Sequence, residues 1–591
     1  MNKVKTFLNK ASLGFVPLLI LIWVLWMPDG VNYRDTYRST NLIMGLMGLF
    51  AFYLVKKNNE STSLCFWKNV LAGVFSLLFA VANILGAWTT VTEKNNILLF
   101  LAFLGAFCTA YSVIYLLLTN ELSAIKKPHN LKLKPSTVFL ICFVIVSVID
   151  LTLLFLGFYP GNLSPDSITQ VTQILTGTYK NHHPFYHTIV IGALIKLGQM
   201  IFGNINAGIA CYHIFQIFAV SAVFSFAIVT LYQKKAPLWV IISAFLLYAV
   251  HPINILYSFT MWKDVLFGAA ALLFITSFAR IFFKIGNKNI LNYILVFLGG
   301  FGFCLWRSNG LYAFILTAIL LLIIFYKQYK VLTVGFIVIA ICSYILIGPV
   351  LRSANISPPD TIEHLSVPAQ QIARVVADDC RLSDKEYETL SKVIAVEDIP
   401  SKYKDYISDP IKNLVRASNG NDYIAQNKKE FLKLWISLGI KYPKQYIIAW
   451  VDLTKGYYYS GHYYWMCSYD VKKNDIGVVR TVESETVRQS MAEYAENFID
   501  PNKNPILNIF VSVGLMFWIM TGAAVVAISK KNWRAAFVFI PIILVVLSLL
   551  IATPVYSEFR YVYSLFVSLP MVGLLLCNYE EMPSKEEEKT L

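Results

Sequence analysis

The chain has 591 residues, is 57% hydrophobic and only 14% charged, and carries a formal charge of +15, whereas soluble domains run nearer roughly 45–50% apolar and 25% charged. That balance excludes an ordinary soluble enzyme. A basic chain can bind nucleic acid, but Lys56-Lys57, Lys126-Lys127, Lys234-Lys235 and Lys530-Lys531 stand at the ends of apolar runs, as in the loops of membrane proteins, which excludes nucleic acid as a partner.

The expected class is an all-α polytopic membrane protein. In chain order, runs long or nearly long enough to cross a hydrocarbon core of about 30 Å lie at 11–28, 40–55, 69–91, 96–118, 136–158, 207–232, 237–259, 262–284, 289–306, 309–326, 331–350, 506–529, 534–553 and 560–577. The first follows the basic stretch Met1 to Lys10, lacks a small-residue cleavage site after Met27, and reads as a retained signal anchor.

One more apolar stretch, 184–203, is set apart by charge. If it crossed the membrane, Lys234-Lys235 and every later basic cluster would change sides. If it does not, all the basic clusters share one side, as the positive-inside rule asks. It is therefore expected to be a juxtamembrane or re-entrant helix on the outer side. Its Gly192 and Lys196 suit a helix that does not face lipid all round.

This gives about 14 transmembrane helices with both termini inside. An N-terminal transmembrane module, 1–351, carries an outer loop at 159–206. A mainly helical extracytoplasmic domain follows at 352–505, then C-terminal transmembrane helices within 506–579 and an acidic, disordered cytoplasmic tail at 580–591. No internal repeat marks the two halves of a transporter. Seven of the nine cysteines lie in or beside apolar runs as packing residues. Cys380 and Cys467 form one disulfide if their segment is outside, or remain two free thiols.

Residues able to do chemistry cluster at the outer ends. Asp150 lies within a span, where an ionisable group is a functional candidate with Lys196 or an Arg as its partner. In Ser164-Pro165-Asp166-Ser167, Ser164 suits an N-cap, Pro165 the first helical position and Asp166 the first turn, ahead of apolar residues at helical spacing over 168–175. That pattern reads either as capping alone or as an ionised carboxylate able to take a proton from a hydroxyl. His182-His183-Pro184-Phe185-Tyr186-His187 reads as a metal or phosphate contact, or as a polar hinge. Trp262-Lys263-Asp264, Arg307-Ser308-Asn309 and Glu558-Phe559-Arg560-Tyr561 put charged residues at three further outer ends. The aromatic run Gly456 to Trp465 reads as a sugar-stacking surface or an interfacial anchor. No nucleotide-binding glycine loop and no G-x-S-x-G elbow is present, which removes support for ATP-driven transport and serine hydrolysis.

The outer acid followed by a His-Pro element resembles the GT-C glycosyltransferases, most closely the branch of protein O-mannosyltransferases and aminoarabinose transferases. Their first outer loop reads as an acidic pair, an amphipathic helix, a Gly, His-Pro-Pro and a juxtamembrane helix. The corresponding residues here are Pro165-Asp166-Ser167, 168–175, Gly177, His183-Pro184-Phe185 and 186–203. The acidic pair is reduced to Asp166, and Phe185 stands for the second Pro. The chain also looks like a bacterial family of polytopic proteins carrying the same SPDS, NHHP, WKD and RSNG strings.

The resemblance implies a GT-C-like helical bundle that moves a sugar from a polyprenyl-phosphate carrier to an outside acceptor, whether a cell-surface glycan, a lipid or a protein. It makes Asp166 the general base and has Lys263, Arg307 and Arg560 stabilise the leaving phosphate. His182, His183, His187, Asp264, Asn309 and Glu558 complete the substrate-binding set. No cofactor is certain, and a divalent metal serves some such enzymes. Two alternatives stay open: a polysaccharide polymerase or ligase, and a transporter or flippase of lipid-linked sugars.

Overall fold

The computed structural model describes residues 14–25, 38–57, 64–88, 95–119, 127–286, 289–461, 469–500, 503–504, 506–556 and 558–577. Among them the secondary structure is helical, with isolated β-bridges in place of strands. In the N-terminal part the helices are α1 (Gly14–Leu25), α2 (Arg38–Lys57), α3 (Phe66–Trp88), α4 (Asn96–Leu118), α5 (Pro135–Leu153), α6 (Pro165–Thr176) and α7 (Phe185–Phe202). They continue as α8 (Ile205–Gln233), α9 (Leu238–Ala249), α10 (Pro252–Ser258), α11 (Lys263–Phe282), α12 (Asn289–Leu305), α13 (Ser308–Phe325) and α14 (Lys330–Ile345).

Ten helices among the described residues are long and apolar enough to cross a membrane, or eleven if α9 and α10 form one bent span. They make a helical, multi-pass membrane architecture. Their outward faces fit lipid rather than water: α14 exposes Val331, Val334, Val338, Ile341 and Ile345, a stripe at three- and four-residue spacing. At the centre stands α11, buried along nearly its whole length. Phe274 and Phe278 on it pack against rings of Phe303, Phe314, Phe336 and Phe537 from α12, α13, α14 and the helix Trp533–Ala552. One end of this helix carries Lys263 and the other Arg280.

Helices stand on every run expected to span, but in 11–28, 289–306 and 506–529 the apolar helices are short (Gly14–Leu25, Ile290–Leu305 and Val513–Ser529), and two more runs differ in form. The run 237–259 is not one straight span. It divides into α9 and α10, bent by 47° at the His251-Pro252 break, because proline supplies no amide to continue the ladder. The segment 560–577 alternates 3₁₀ and α turns from Phe559 to Leu576.

The region 352–505 holds two parts. Residues from Ile362 to Tyr446 close their own apolar core. Tyr457, Tyr458, Tyr459, Met491, Ala495 and Ile499 instead bury in the core of the bundle. The described part of the aromatic run is therefore packing: the Tyr457 hydroxyl meets Thr553 Oγ1 at 3.0 Å and the Trp518 indole donates to the Tyr458 carbonyl at 2.7 Å. The rest of that run, Cys467 with its candidate disulfide, and the tail 580–591 lie outside the described residues.

Helix α7 is long and apolar enough to span, and it packs against α6 and the first turns of α8. Gly198 packs on Ala207 and Gly208, and Gly208 on Ile195. The Tyr186 hydroxyl donates to the Leu346 carbonyl at 2.9 Å, and His187 lies 5.4 Å from the ring of Trp306. The two backbones meet closely because glycine faces glycine. A Cβ on Gly198 would stand 2.7 Å from the Ala207 carbonyl oxygen and from Gly208 Cα. Gly198→Val should therefore cost about 1–3 kcal/mol by overpacking, read as a lower Tm in detergent. Gly73→Ala, which meets nothing within 4 Å, should leave Tm unchanged. Equal Tm for all three proteins would contradict this packing.

Candidate functional site

The site begins with a backbone pairing between distant segments. Asn162 and Thr260 form a parallel bridge, Met261 N donates to the Asn162 carbonyl at 3.1 Å, and Ser167 Oγ donates to the Met261 carbonyl at 2.6 Å. The Trp262 indole donates to Ser164 Oγ at 2.7 Å. Gln216 on α8 fixes the second strand of this pairing, its amide donating to the carbonyls of Tyr257, Ser258 and Thr260. The pairing sets the start of α6 beside the start of α11.

Helix α6 starts as its sequence requires. Ser164 is the N-cap, its Oγ accepting from Ser167 N, Pro165 is in the first turn with Asp166, and Gly177 closes the helix at φ 70°. Asp166 Oδ2 accepts from Arg560 Nη1 at 2.7 Å and lies 3.8 Å from Lys263 Nζ. Arg560 Nε pairs with Glu558 Oε1 at 3.0 Å, and Lys263 Nζ lies 3.4 Å from His183 Nδ1. Arg560 also sits 5.3 Å over the rings of Trp262 and Tyr561.

Next to this chain of charges, Arg307 pairs with Asp264, and Arg307 Nε donates to Asn309 Oδ1 at 3.1 Å. Arg307 stacks 4.4 Å over Tyr561. Asn309 Nδ2 and Asp264 Oδ2 are buried without a partner among the described residues, so polar valences remain open beside Arg307. Five segments far apart in sequence thus place Asp166, His183, Lys263, Arg307 with Asp264 and Asn309, and Arg560 with Glu558 at one end of the bundle. An open groove of about 300 Å³ lies along α6, lined by Ile168, Thr169, Thr172, Gln173, Thr176, Thr178 and Lys180.

The three histidines of the 182–187 stretch divide. His182 is exposed, its ring 4.8 Å from that of His183. His183 is buried against Lys263. His187 is fully buried and faces inward, between Gln170 on one ring nitrogen and the Tyr212 hydroxyl at 2.9 Å on the other, so it ties α6, α7 and α8 together. No cluster of three His, Cys, Asp or Glu able to hold a metal occurs among the described residues. Asp150 is buried with Ser258 as its hydrogen-bonding partner, and Lys196 is exposed, so the two are not paired.

Electrostatics follow from this geometry. Burial on its own would raise the Asp166 pKa, but Arg560, Lys263 and His183 outweigh it and hold the carboxyl below the usual carboxylate range. Burial raises Glu558, with Arg560 opposing. His183 is pushed down to about 3, first by burial and then by the charge of Lys263. The neighbouring domain adds Glu363, whose charge reaches His182 and Lys263 and which is itself bound by Lys412 at 2.9 Å and by Arg416. Arg480 locks the loop from the other side, donating to Asn162 Oδ1 at 2.6 Å and to the Phe158 carbonyl. Sequence reasoning singled out neither Glu363 nor Arg480, since both stand in polar stretches where charge is ordinary.

A family model, that of a family of unknown function (DUF6020), matches residues 173–590. The match takes in His183, Lys263, Arg307, Glu558 and Arg560 and begins after Asp166. No curated protein and no solved structure matches the chain.

The depressed His183 has a consequence for stability. Below its ordinary value of 6.5 the unfolded chain binds a proton there that the folded chain refuses. Its contribution is complete above that value and is lost as pH falls toward about 3, while Asp166 acts only below about pH 4. Between about pH 7 and 4.5, the Tm of His183→Gln should fall less steeply than that of the wild type. Parallel curves would contradict the buried, neutral His183.

Proposed function

We propose that this chain, which belongs to the DUF6020 family, is a membrane glycosyltransferase that moves a sugar from a polyprenyl-phosphate carrier to an acceptor hydroxyl on the extracytoplasmic side. The observation that carries the reading is the convergence of Lys263, Arg560 and Arg307 around a single carboxylate, Asp166, at the rim of an apolar bundle. A lipid carrier delivers its phosphate at that depth. Cations fixed in a water-poor site stabilise charge developing on a leaving phosphate more than they would in water.

In this reaction the acceptor oxygen attacks the anomeric carbon as its proton passes to Asp166. The bond from that carbon to the phosphate oxygen breaks, and the polyprenyl phosphate leaves with the electron pair. One displacement inverts the anomeric centre. With Arg560 and Lys263 as its counter-ions, Asp166 is a weak base. A donor phosphate that draws those two cations toward itself returns basicity to the carboxylate at the moment the acceptor needs it. His183, neutral and beside Lys263, orients that ammonium.

The architecture that goes with this function is GT-C-like: about 14 transmembrane helices, both termini cytoplasmic, and α7 lying along the outer face as the floor where the prenyl tail enters.

Asp166→Asn should lower sugar transfer by about 10²–10⁴-fold while leaving membrane insertion intact, with a lower Tm as the unpaired Arg560 and Lys263 charges are felt. The measurement is transfer from labelled polyprenyl-phosphate sugars, together with mass spectrometry of surface glycans from cells carrying either form. Full activity in that variant would remove Asp166 as the base, and unchanged glycans in cells lacking the protein would remove the reaction.

A further inference from the structure

Arg280 lies on the last turn of α11, about 26 Å from Lys263 at 1.5 Å per residue. Its side chain is 8% exposed and is clamped by neutral groups. Nε donates to Asn292 Oδ1 at 3.0 Å, and Nη1 donates to Thr230 Oγ1 at 3.1 Å and Gln233 Oε1 at 2.7 Å. The guanidinium stacks 5.0 Å over Phe226. Nη2 donates to no group among the described residues and faces Gly286. There φ is +78°, a conformation that favours glycine, and a Cβ would stand 2.7 Å from Nη2. A guanidinium withdrawn from water without a counter-charge is costly, and nothing acidic among the described residues meets it.

The surroundings deepen that deficit. The stretch 127–134 is held here by the Tyr232 hydroxyl, which donates to the carbonyls of Leu131 at 3.1 Å and Leu133 at 2.8 Å. Lys234 lies 5.8 Å over Phe283, Phe282 stacks 4.7 Å from Tyr329, and Arg534 sits 5.6 Å over that same Tyr329. In the stretches 127–134, 233–237, 283–286, 326–330 and 529–534 every charged residue is Lys or Arg. Lys235 and Lys284 are exposed at this rim. The flanking surfaces are apolar: α9 exposes Leu238, Trp239 and Ile242, and α12 exposes Ile290, Ile294 and Leu298.

We propose that the mouth between α8, α11 and α12 binds the phosphate of an anionic phospholipid, with Arg280 Nη2 as the buried donor, Lys235 and Lys284 as the rim, and the acyl chains on the apolar faces of α9 and α12. The missing counter-charge defines an anion. The apolar flanks on both sides select a lipid over a soluble phosphate, since basic pockets between membrane helices hold headgroups in this way. The site shares no residue with the Asp166 cluster and stands or falls independently of the reaction assigned to it.

The test uses the purified full-length protein in neutral detergent, titrated with phosphatidylglycerol or with phosphatidylcholine of the same acyl chains. Tm and native mass spectrometry are the readouts. Phosphatidylglycerol should raise Tm and stay bound through delipidation, phosphatidylcholine and millimolar inorganic phosphate should do neither, and Arg280→Gln should lose the selective shift. If Arg280→Gln does not fold, the exposed pair Lys235→Gln and Lys284→Gln should weaken the phosphatidylglycerol response severalfold. Equal responses to both lipids, or an undiminished response in the variants, would overturn the site. A shift reproduced by inorganic phosphate would overturn the lipid as its ligand.

Discussion

A carboxylate at the rim of an apolar bundle stays ionised only while cations are held against it, and the chain of charges Lys263–Asp166–Arg560–Glu558 meets that condition. Much of the fold around it can be understood as the means of bringing these partners together. Lys263 arrives because Asn162 pairs with Thr260 and Trp262 bonds to Ser164. Arg560 arrives from the far end of the chain, ahead of the last apolar segment. Arg480 and Gln216 then fasten the two backbone stretches that carry Asp166 and Lys263. Loss of any one partner would leave a charge in a place too dry to hold it alone.

The central helix α11 links two chemically different ends. At its start Lys263 and Asp264 are answered by Asp166 and Arg307, so the cluster there is made of opposed charges poised to exchange partners. At its finish Arg280 is answered only by amide and hydroxyl groups. The contrast fits the readings proposed for each end: a site where charge must move during a reaction holds both signs, and a site that keeps a resident anion holds one. Between them the Phe-rich packing of α11 against α12, α13 and α14 keeps the distance between the ends fixed.

The parts of this organisation legible in the sequence are those written locally. Apolar runs foretold helices, and Ser164-Pro165-Asp166 foretold a capped helix with its acid in the first turn. The charge rule sets 184–203 apart, whereas its length and composition count it among the helices able to span. What escaped is long-range. The inward turn of His187 depends on Gln170 and Tyr212, which no short motif connects to it. The burial of Tyr457 to Tyr459 depends on Thr553, 96 residues downstream of Tyr457, and Trp518, 60 residues downstream of Tyr458, and aromatic runs look alike in cores and at interfaces. The 47° break at Pro252 was spelled by His-Pro, but an apolar run long enough to span concealed it.

In the proposed reaction Asp166 and a lipid phosphate compete for the same two cations, Arg560 and Lys263. The most direct measurement is the affinity of purified protein for a polyprenyl phosphate, in a double-mutant cycle of Asp166→Asn and Arg560→Gln. If the competition is real, Asp166→Asn binds the lipid phosphate more tightly than the wild type, and that gain disappears in the Arg560→Gln background. Unchanged or weaker binding in Asp166→Asn would contradict it.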